Sequence, residues 1–302
     1  MKPVVLKFGG ELLENREHLS TVVTAITAIA PATPVVVVHG GGKEIDAALR
    51  TAGIEKRQVD GLRITDEPTL DVVVAVLAGS MNTRLVAALN AAGVGAVGLT
   101  GADGFCGLSE AARPHRATDG RVVDLERVGV PTDAADLRLP RLLVDAGFVP
   151  VLACIGAGAD GRLFNVNADT FAGHLAAGLG ASRLVIAGTT PGVLGDDGAT
   201  IPAVDQAAIA RLVGDGTATA GMIAKLRACE HALASGVEEV VIVDGRDRRA
   251  LTDAARCQSS VLSRQASVTV VRRQSQSSVS SRQSSVEQSD DSDVRLKTAT
   301  AD

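Results

Sequence analysis

The sequence predicts an α/β protein built on an open, mostly parallel β-sheet with helices on both faces. Short apolar runs rich in β-branched residues recur along the chain, and such runs are typical of strands buried on both faces. Amphipathic stretches of helical length separate them, and most end at a glycine that can adopt a positive φ. Strand and helix therefore alternate, which is the pattern of parallel strands joined by crossover helices.

Six runs are predicted as central strands because they are short and rich in β-branched side chains. They occupy residues 4–6, 35–38, 96–99, 149–152, 184–186 and 240–243. The amphipathic stretches 44–52, 69–91, 168–179 and 222–234 are predicted as helices. With 302 residues, 46% of them hydrophobic, the chain can bury the core of one large domain or of two lobes.

Composition argues against several classes of protein. The chain has 30 Lys and Arg against 35 Asp and Glu, so no overall positive charge attracts it to nucleic acid or anionic membranes. The N-terminus lacks the organisation of a signal peptide, and no apolar segment is expected to be long enough to span a bilayer. The four cysteines lack CxxC spacing, which argues against disulfides or a zinc site and favours a reducing cytoplasm.

The composition changes at about Cys257, after which Ser, Gln and Arg dominate. Because this stretch can bury little apolar surface, residues 257–302 are predicted to form a largely disordered tail. Its Arg-Gln-Ser repeats could be phosphorylation targets, although a solvated tail without that role is favoured. An apolar island at 267–271 could still add an edge strand to the sheet.

Two glycine clusters follow predicted strands. Lys7 and the pair Gly9-Gly10 end the first strand, and His39 with the glycines at 40–42 ends the second. Backbone amides can approach an anion closely at glycines, and the helix after the second cluster adds its N-terminal dipole. Either cluster alone could be a tight turn. Together, at the carboxyl ends of neighbouring parallel strands, they predict a phosphate site.

Three enzyme classes with similar glycine motifs fit less well. A lipase oxyanion loop needs a Gly-x-Ser-x-Gly elbow, and the nearest match, at 107–111, lacks the final glycine. The Gly-x-Gly-x-x-Gly pattern at 156–161 runs into a hairpin-like segment instead of the helix start of a dinucleotide site. Lys43 follows three glycines but precedes Glu44, so it does not complete a P-loop.

Over about residues 2–246 the chain resembles the amino acid kinase family, because six motifs occur in that family's order and spacing. They are Lys-Phe-Gly-Gly at 7–10, His-Gly-Gly-Gly at 39–42, Gly-Leu-Arg-Ile-Thr at 61–65, Gly-Leu-Thr-Gly-Ala-Asp-Gly at 98–104, Asn-Val-Asn-Ala-Asp at 165–169 and Gly-Met-Ile-Ala-Lys at 221–225. Within the family it is similar to the acetylglutamate kinase branch. The resemblance implies an eight-stranded sheet in an α/β/α sandwich. It also implies a lobe at 1–173 for the acyl amino acid and dimerisation, and a lobe at 174–256 for the nucleotide.

The resemblance implies ATP-dependent phosphorylation of the side-chain carboxylate of N-acetyl-L-glutamate in arginine biosynthesis. The expected substrates are that compound and ATP with Mg²⁺, and no nucleic acid or membrane partner is expected. Since the first strand begins almost at once, a homodimer insensitive to arginine is expected instead of a hexamer built with an extra N-terminal helix. Two alternatives stay open: a kinase for another acyl amino acid, such as a carrier-linked aminoadipate, and a non-catalytic amino acid sensor.

The same resemblance implies roles for single residues. Lys7 and Lys225 would stabilise the transferring phosphoryl group, and Asp169 would hold both lysines. Arg63 would grip the α-carboxylate and Asn165 would bind the acylated amide; otherwise they would be a surface charge and a turn residue. The implied substrate-binding residues are Gly41, Gly42, Arg63, Asn165 and Asn167. The implied nucleotide-binding residues are Gly9, Gly10, Thr189, Gly192, Val193, Leu194, Thr217, Thr219, Gly221 and Met222, and no metal ligand is assigned.

The sequence departs from the family at the nucleotide lobe. Thr189 and Ala220 stand where acidic residues are usual, so relaxed nucleotide choice is expected. After about Ala255 the tail replaces the family's closing helix and strand.

Overall fold

A computed structural model describes residues 1–214, 220–256, 262 and 268–272. Within these residues the strands are β1 (Val4–Phe8), β2 (Val35–His39), β3 (Gln58–Val59), β4 (Leu62–Arg63), β5 (Ala96–Thr100), β6 (Ser109–Ala111), β7 (His115–Arg116), β8 (Val122–Val123), β9 (Val128–Pro131), β10 (Val149–Ala153), β11 (Ile155–Ala157), β12 (Leu163–Val166), β13 (Arg183–Gly188), β14 (Ala203–Val204), β15 (Val240–Asp244) and β16 (Val268–Val271). The helices are α1 (Arg16–Ile29), α2 (Gly42–Thr51), α3 (Glu67–Val74), α4 (Asn82–Ala91), α5 (Arg138–Asp145), α6 (Ala168–Leu179), α7 (Gln206–Gly214), α8 (Ala220–Ala234) and α9 (Arg248–Arg256). Short 3₁₀ turns at Gly10–Leu12 and Asp103–Phe105 and a π-helical segment at Ala75–Met81 complete them.

The main sheet has eight strands in the order β14-β16-β15-β13-β1-β2-β10-β5. The strands from β15 to β5 pair in parallel, and they are the six predicted from the apolar runs. Helices α1, α4 and α9 cover one face, and α5, α6 and α8 cover the other. The predicted fold class and strand number are therefore confirmed. All five residues of β1, β2, β10 and β15 are buried, which explains why these strands appear as continuous apolar runs.

The predicted island in the tail does join the sheet. All four residues of β16 are buried, and the strand pairs antiparallel with β15. It is not the edge strand, however, because the two-residue β14 pairs on its outer side. The sequence could not show this, since β14 is too short to give a periodic pattern. The rest of the predicted tail, at 257–261, 263–267 and 273–302, lies outside the described residues.

A continuous helical stretch, Glu67–Ala91, is formed by α3, the π-helical segment and α4. By length and composition it is sufficient to cross a membrane, with a mean hydropathy of 1.8, so the expectation that no such segment exists was wrong. Val73, Leu77, Leu85 and Leu89 nevertheless lie in the hydrophobic core. The stretch therefore serves as a core helix that packs on β5 and β10.

A second, four-stranded sheet, in the order β11-β12-β9-β6, follows the carboxyl end of β10. Strands β11 and β12 form an antiparallel hairpin, as predicted for the segment after 156–161, so no helix starts there. This sheet and the β3–β4 hairpin carry Asn165 and Arg63. Both predicted substrate residues are thus on small strands beside the main sheet.

Candidate active site

The carboxyl ends of β1, β2 and β13 meet at one place, which we call the carboxyl edge. Phe8 is in register with His39 on one side and with Ala187 on the other. The glycines after β1 and β2, and Gly188 at the end of β13, therefore lie side by side. Such an edge is where open α/β sheets bind ligands.

The two predicted glycine turns touch each other. A Cβ built on Gly10 would lie 2.6 Å from the Cα of Gly41, so only glycine allows this approach. A Cβ on Gly41 would also collide with Leu77 and Met81. Since α2 begins at Gly42, its free N-terminal amides belong to the same surface. The structure thus brings together the glycine clusters from which the sequence predicted an anion site.

Lys7 forms a buried ion pair with Asp169. Its Nζ lies 2.8 Å from Asp169 Oδ1, and the two side chains are 8% and 9% exposed. The contact has ion-pair distance without the angle of a directed hydrogen bond. Burial acts to lower the pKa of Lys7, but Asp169, with a smaller contribution from Glu11, raises it above its usual value. Lys7 therefore carries its positive charge at physiological pH.

Asn167 fixes the helix end that carries Asp169. It is the N-cap of α6, and its Oδ1 accepts hydrogen bonds from the backbone N–H groups of Asp169 (3.0 Å) and Thr170 (3.1 Å). Its oxygen therefore has a structural role, and the role of Asn167 in binding substrate stays a prediction.

Lys225, on α8, reaches the carboxyl edge at the end of β13. Its Nζ lies 3.3 Å from the point that a Cβ on Gly188 would occupy. Among the described residues it forms no ion pair with Asp169, whose partner is Lys7. The structure therefore shows Asp169 paired with Lys7, and the anchoring of Lys225 by Asp169 stays a prediction. Asp169 lies on α6, which packs against β1, whereas the ammonium of Lys225 lies at the end of β13.

Arg63 is held by two acceptors but keeps an open nitrogen. Its Nη2 donates to Asp46 Oδ1 at 2.5 Å and to the carbonyl of Gly42 at 3.3 Å. Its Nη1 is buried and has no hydrogen-bond partner among the described residues. With its side chain 13% exposed, Arg63 is not the surface charge of the alternative interpretation. The unpaired Nη1 can donate to a carboxylate oxygen, as the resemblance implied.

Asp46 was missed by the sequence analysis. It lies on α2 and binds both Arg63 and, at 2.8 Å, Lys56. Burial acts to raise the pKa of Asp46, but the two cations outweigh it and lower that pKa. Its position on the helix that begins at the second glycine cluster is the signal in the sequence that could have found it.

Thr65 links the two predicted substrate residues. Asn165 Nδ2 donates to the hydroxyl of Thr65 at 3.1 Å, and this hydroxyl donates to the carbonyl of Arg63 at 3.1 Å. Asn165 lies within β12, so the turn alternative is excluded. Thr65 is fully buried, and it was present in the third motif without a predicted role.

His39 holds the second glycine turn through a hydrogen bond to the backbone of Gly40. Asn82 Nδ2 donates to the carbonyl of Val151 at 2.9 Å and to His39 Nε2 at 3.1 Å, so His39 Nδ1 carries the hydrogen donated to the carbonyl of Gly40. Burial lowers the pKa of His39 to about 4, which keeps the ring neutral at physiological pH. Gly98 leaves the room that Asn82 needs, because a Cβ there would collide with its Oδ1. His39 and Asn82 are thus structural residues of the site.

The predicted nucleotide loop is attached to β16. Gly192 has a φ of 89°, and a Cβ on it would lie 2.5 Å from the hydroxyl of Thr269. The same hydroxyl accepts a hydrogen bond from the backbone of Val193 at 2.8 Å. Leu194, next along, is 40% exposed. Of the other predicted nucleotide residues, Thr189 follows β13 and Gly221 and Met222 begin α8, while Thr217 and Thr219 lie outside the described residues.

Residues 2–244 match the model of the amino acid kinase family, and the chain belongs to that family. Within it, the chain is similar to acetylglutamate kinases. It is 42% identical to the one from Novosphingobium aromaticivorans over 255 residues, which is 81% of this chain and 84% of that protein. It is also 42% identical to the one from Brucella abortus over 253 residues, 81% of this chain and 84% of the relative.

Solved structures share the fold. N-acetylglutamate synthase from Neisseria gonorrhoeae, complexed with coenzyme A and N-acetyl-glutamate, matches with a TM-score of 0.75 and 24% identity over 91% of this chain. The match covers 60% of the length of that synthase. Carbamate kinase from Giardia lamblia, bound to AMP-PNP, matches with a TM-score of 0.61 and 15% identity over 90% of this chain and 99% of its own. At these identities the likeness is one of fold.

Proposed function

We propose that the chain transfers the γ-phosphoryl group of ATP to the side-chain carboxylate of N-acetyl-L-glutamate, forming N-acetyl-L-glutamyl 5-phosphate for arginine biosynthesis. The observation that carries the proposal is the buried Arg63 with an open Nη1 next to the glycine turns that Lys7 and Lys225 flank. The similarity to acetylglutamate kinases supports the choice of acyl amino acid.

The site suits a reaction between two anions. Positive charge and amide donors aimed at the transferring group supply most of the catalysis, and the protein needs no nucleophile. Lys7 stays protonated through its pairing with Asp169, and the glycine turns after β1 and β2 contact each other at the same edge of the sheet. Arg63 then holds the α-carboxylate away from the reacting one. Residues 1–173 form the proposed amino acid lobe and 174–256 the proposed nucleotide lobe.

Mg²⁺ is proposed to enter with ATP, where it would neutralise phosphate charge, since this ion keeps much of its water and seldom needs a dedicated protein cage. Among the described residues there is no group of three or more His, Cys, Asp or Glu side chains that could hold a metal. The residues present therefore fit an ion held mainly by the nucleotide.

A homodimer in the cytoplasm is proposed as the working form. Only 39% of the most apolar window of the helical stretch Glu67–Ala91 is buried, and this stretch packs on β5, an edge strand of the main sheet. A helix beside a sheet edge is a suitable surface for a second copy, and its exposed residues include small ones such as Ala75, Gly79 and Ala87. Cys106, Cys154 and Cys229 are buried free thiols, which suits a reducing compartment.

The substrate is tested by ADP release with N-acetylglutamate, free glutamate, aspartate and N-acetyl-aminoadipate. We expect kcat/KM for N-acetylglutamate to exceed that for free glutamate by about tenfold or more, because a site built to bind an acylated amide rejects a charged amine. Higher kcat/KM for N-acetyl-aminoadipate would indicate the other acyl amino acid kinase. No ADP release with any compound would indicate the sensor.

Replacing Arg63 by alanine should raise the KM for N-acetylglutamate about tenfold or more with little change in kcat, because the α-carboxylate has the same charge before and during transfer. Asp46 keeps Lys56 as a partner, so the fold should be preserved. The KM of Arg63→Lys should lie between those of the parent and Arg63→Ala, because an ammonium cannot form the two-pronged pair. Arg50→Ala, an exposed change on the same helix as Asp46, is the control. An unchanged KM in Arg63→Ala would contradict the assigned role.

A further inference from the structure

The carboxylate of Glu11 lies at the carboxyl edge, between Gly9 after β1 and Gly188 at the end of β13. The side chain folds back over Gly9, so that a Cβ on Gly9 would collide with both carboxylate oxygens. Its Oε1 also lies 3.3 Å from the point that a Cβ on Gly188 would occupy. The two glycines therefore leave the space that this carboxylate fills.

Lys225 faces the same space. Its Nζ lies 3.3 Å from the same point above Gly188, so the ammonium and the carboxylate of Glu11 border the same space over this glycine. They are beyond ion-pair distance of each other, and Asp169 is paired with Lys7. Thr189 and Thr190, which follow Gly188, carry no charge. Glu11 therefore supplies the carboxylate that shares the space over Gly188 with Lys225.

We propose that Glu11 is a positioning residue for Lys225. It holds the ammonium of Lys225 over Gly188, where the ammonium would contact the transferring phosphoryl group. The proposal rests on the assignment of Lys225 to phosphoryl transfer. A lysine has a flexible four-carbon stem, and a facing carboxylate restricts where its charge lies. Because the two groups form no ion pair among the residues that the structure describes, the ammonium remains able to donate to a phosphoryl oxygen.

The same carboxylate has an opposite effect on nucleotide binding. ATP brings negative charge to the carboxyl edge, and Glu11 repels it over a short distance. Glu11 therefore weakens binding of ATP while it aligns the group that acts during transfer. This combination separates a positioning role from a merely structural one, because loss of structure would not tighten nucleotide binding.

The first measurement is the steady-state kinetics of Glu11→Gln in the full chain. We expect kcat to fall about tenfold and the KM for ATP to fall as well, since the variant loses both the alignment and the repulsion. Glu17→Gln removes the same charge from an exposed site on α1 and should leave both constants unchanged. An unchanged kcat in Glu11→Gln, or a fall in kcat with a raised KM for ATP, would overturn the inference.

The second measurement adds Glu11→Gln to Lys225→Ala. If Glu11 acts through Lys225, it should cause no further fall in kcat in that background, whereas independent effects would multiply. A further tenfold loss would overturn the inference. If Lys225→Ala alone kept normal kcat, the proposed site and this inference would both fail. A Lys225→Ala variant with low kcat beside a fully active Glu11→Gln would overturn the inference alone.

Discussion

Replacing Lys225 or Lys7 by alanine is expected to lower kcat by about a hundredfold or more, which corresponds to roughly 3 kcal/mol of transition-state stabilisation. Both ammonium groups are assigned to charge that develops mainly during transfer, so the KM for N-acetylglutamate should change much less. Arg63→Ala is expected to show the reverse pattern. The kinetics of the three variants therefore distinguish positive charge that stabilises the transferring phosphoryl group from positive charge that binds the substrate.

The structure predicts that the two lysine variants differ in stability. Lys7→Ala leaves the carboxylate of Asp169 buried without its partner, and breaking a buried pair in this way costs about 3–5 kcal/mol. Lys225 forms no ion pair among the described residues, so Lys225→Ala should unfold at nearly the denaturant concentration of the parent. Urea unfolding measured beside kcat per folded molecule tests both statements.

Lys2→Ala serves as the control, because Lys2 pairs with Glu238 at the exposed surface and such pairs contribute little. Near-normal kcat in Lys225→Ala would contradict the assigned roles if Arg63→Ala at the same time lowered kcat strongly and left KM unchanged. Asp169→Asn should resemble Lys7→Ala more than Lys225→Ala, since Asp169 is paired with Lys7.

The main sheet could be predicted because its central strands are buried on both faces. Continuous burial selects apolar, β-branched residues at every position, so β1 and β2 are visible in the sequence without a partner. The short strands of the second sheet lack that signal. Strand β6, for instance, has one buried and two exposed residues, and its place depends on pairing with β9.

The site was predicted in its glycines and charges but not in its supporting contacts. A glycine turn after an apolar strand is a local feature, and so is the lysine within β1. The hydrogen bonds of Asn82 to His39 and of Asn165 to Thr65 join residues 43 and 100 positions apart, and spacing in one sequence does not report them. The same limit applies to the position of Lys225 relative to Asp169, because the approach of Lys225 depends on how α8 packs beside β13.

The glycine turns give the second large prediction. In Gly10→Ala the new methyl group would meet the backbone of Gly41 at 2.6 Å, and backbone atoms cannot swing aside as a flexible side chain can. The turns must therefore separate, which we expect to reduce the free energy of unfolding by about 2–3 kcal/mol. The displaced amides should also lower kcat/KM about a hundredfold, since misplacement by about 1 Å is enough for such a loss.

Gly42→Ala is the matched control for stability. A Cβ at Gly42 meets nothing within 4 Å, and the residue is the first of α2, where alanine favours the helix by up to about 1 kcal/mol over glycine. Urea denaturation should therefore rank Gly42→Ala at or above the parent and Gly10→Ala well below it. Equal unfolding midpoints for Gly10→Ala and the parent, with full activity, would mean that the turns do not touch as described, and the anion site built on their contact would have to be abandoned.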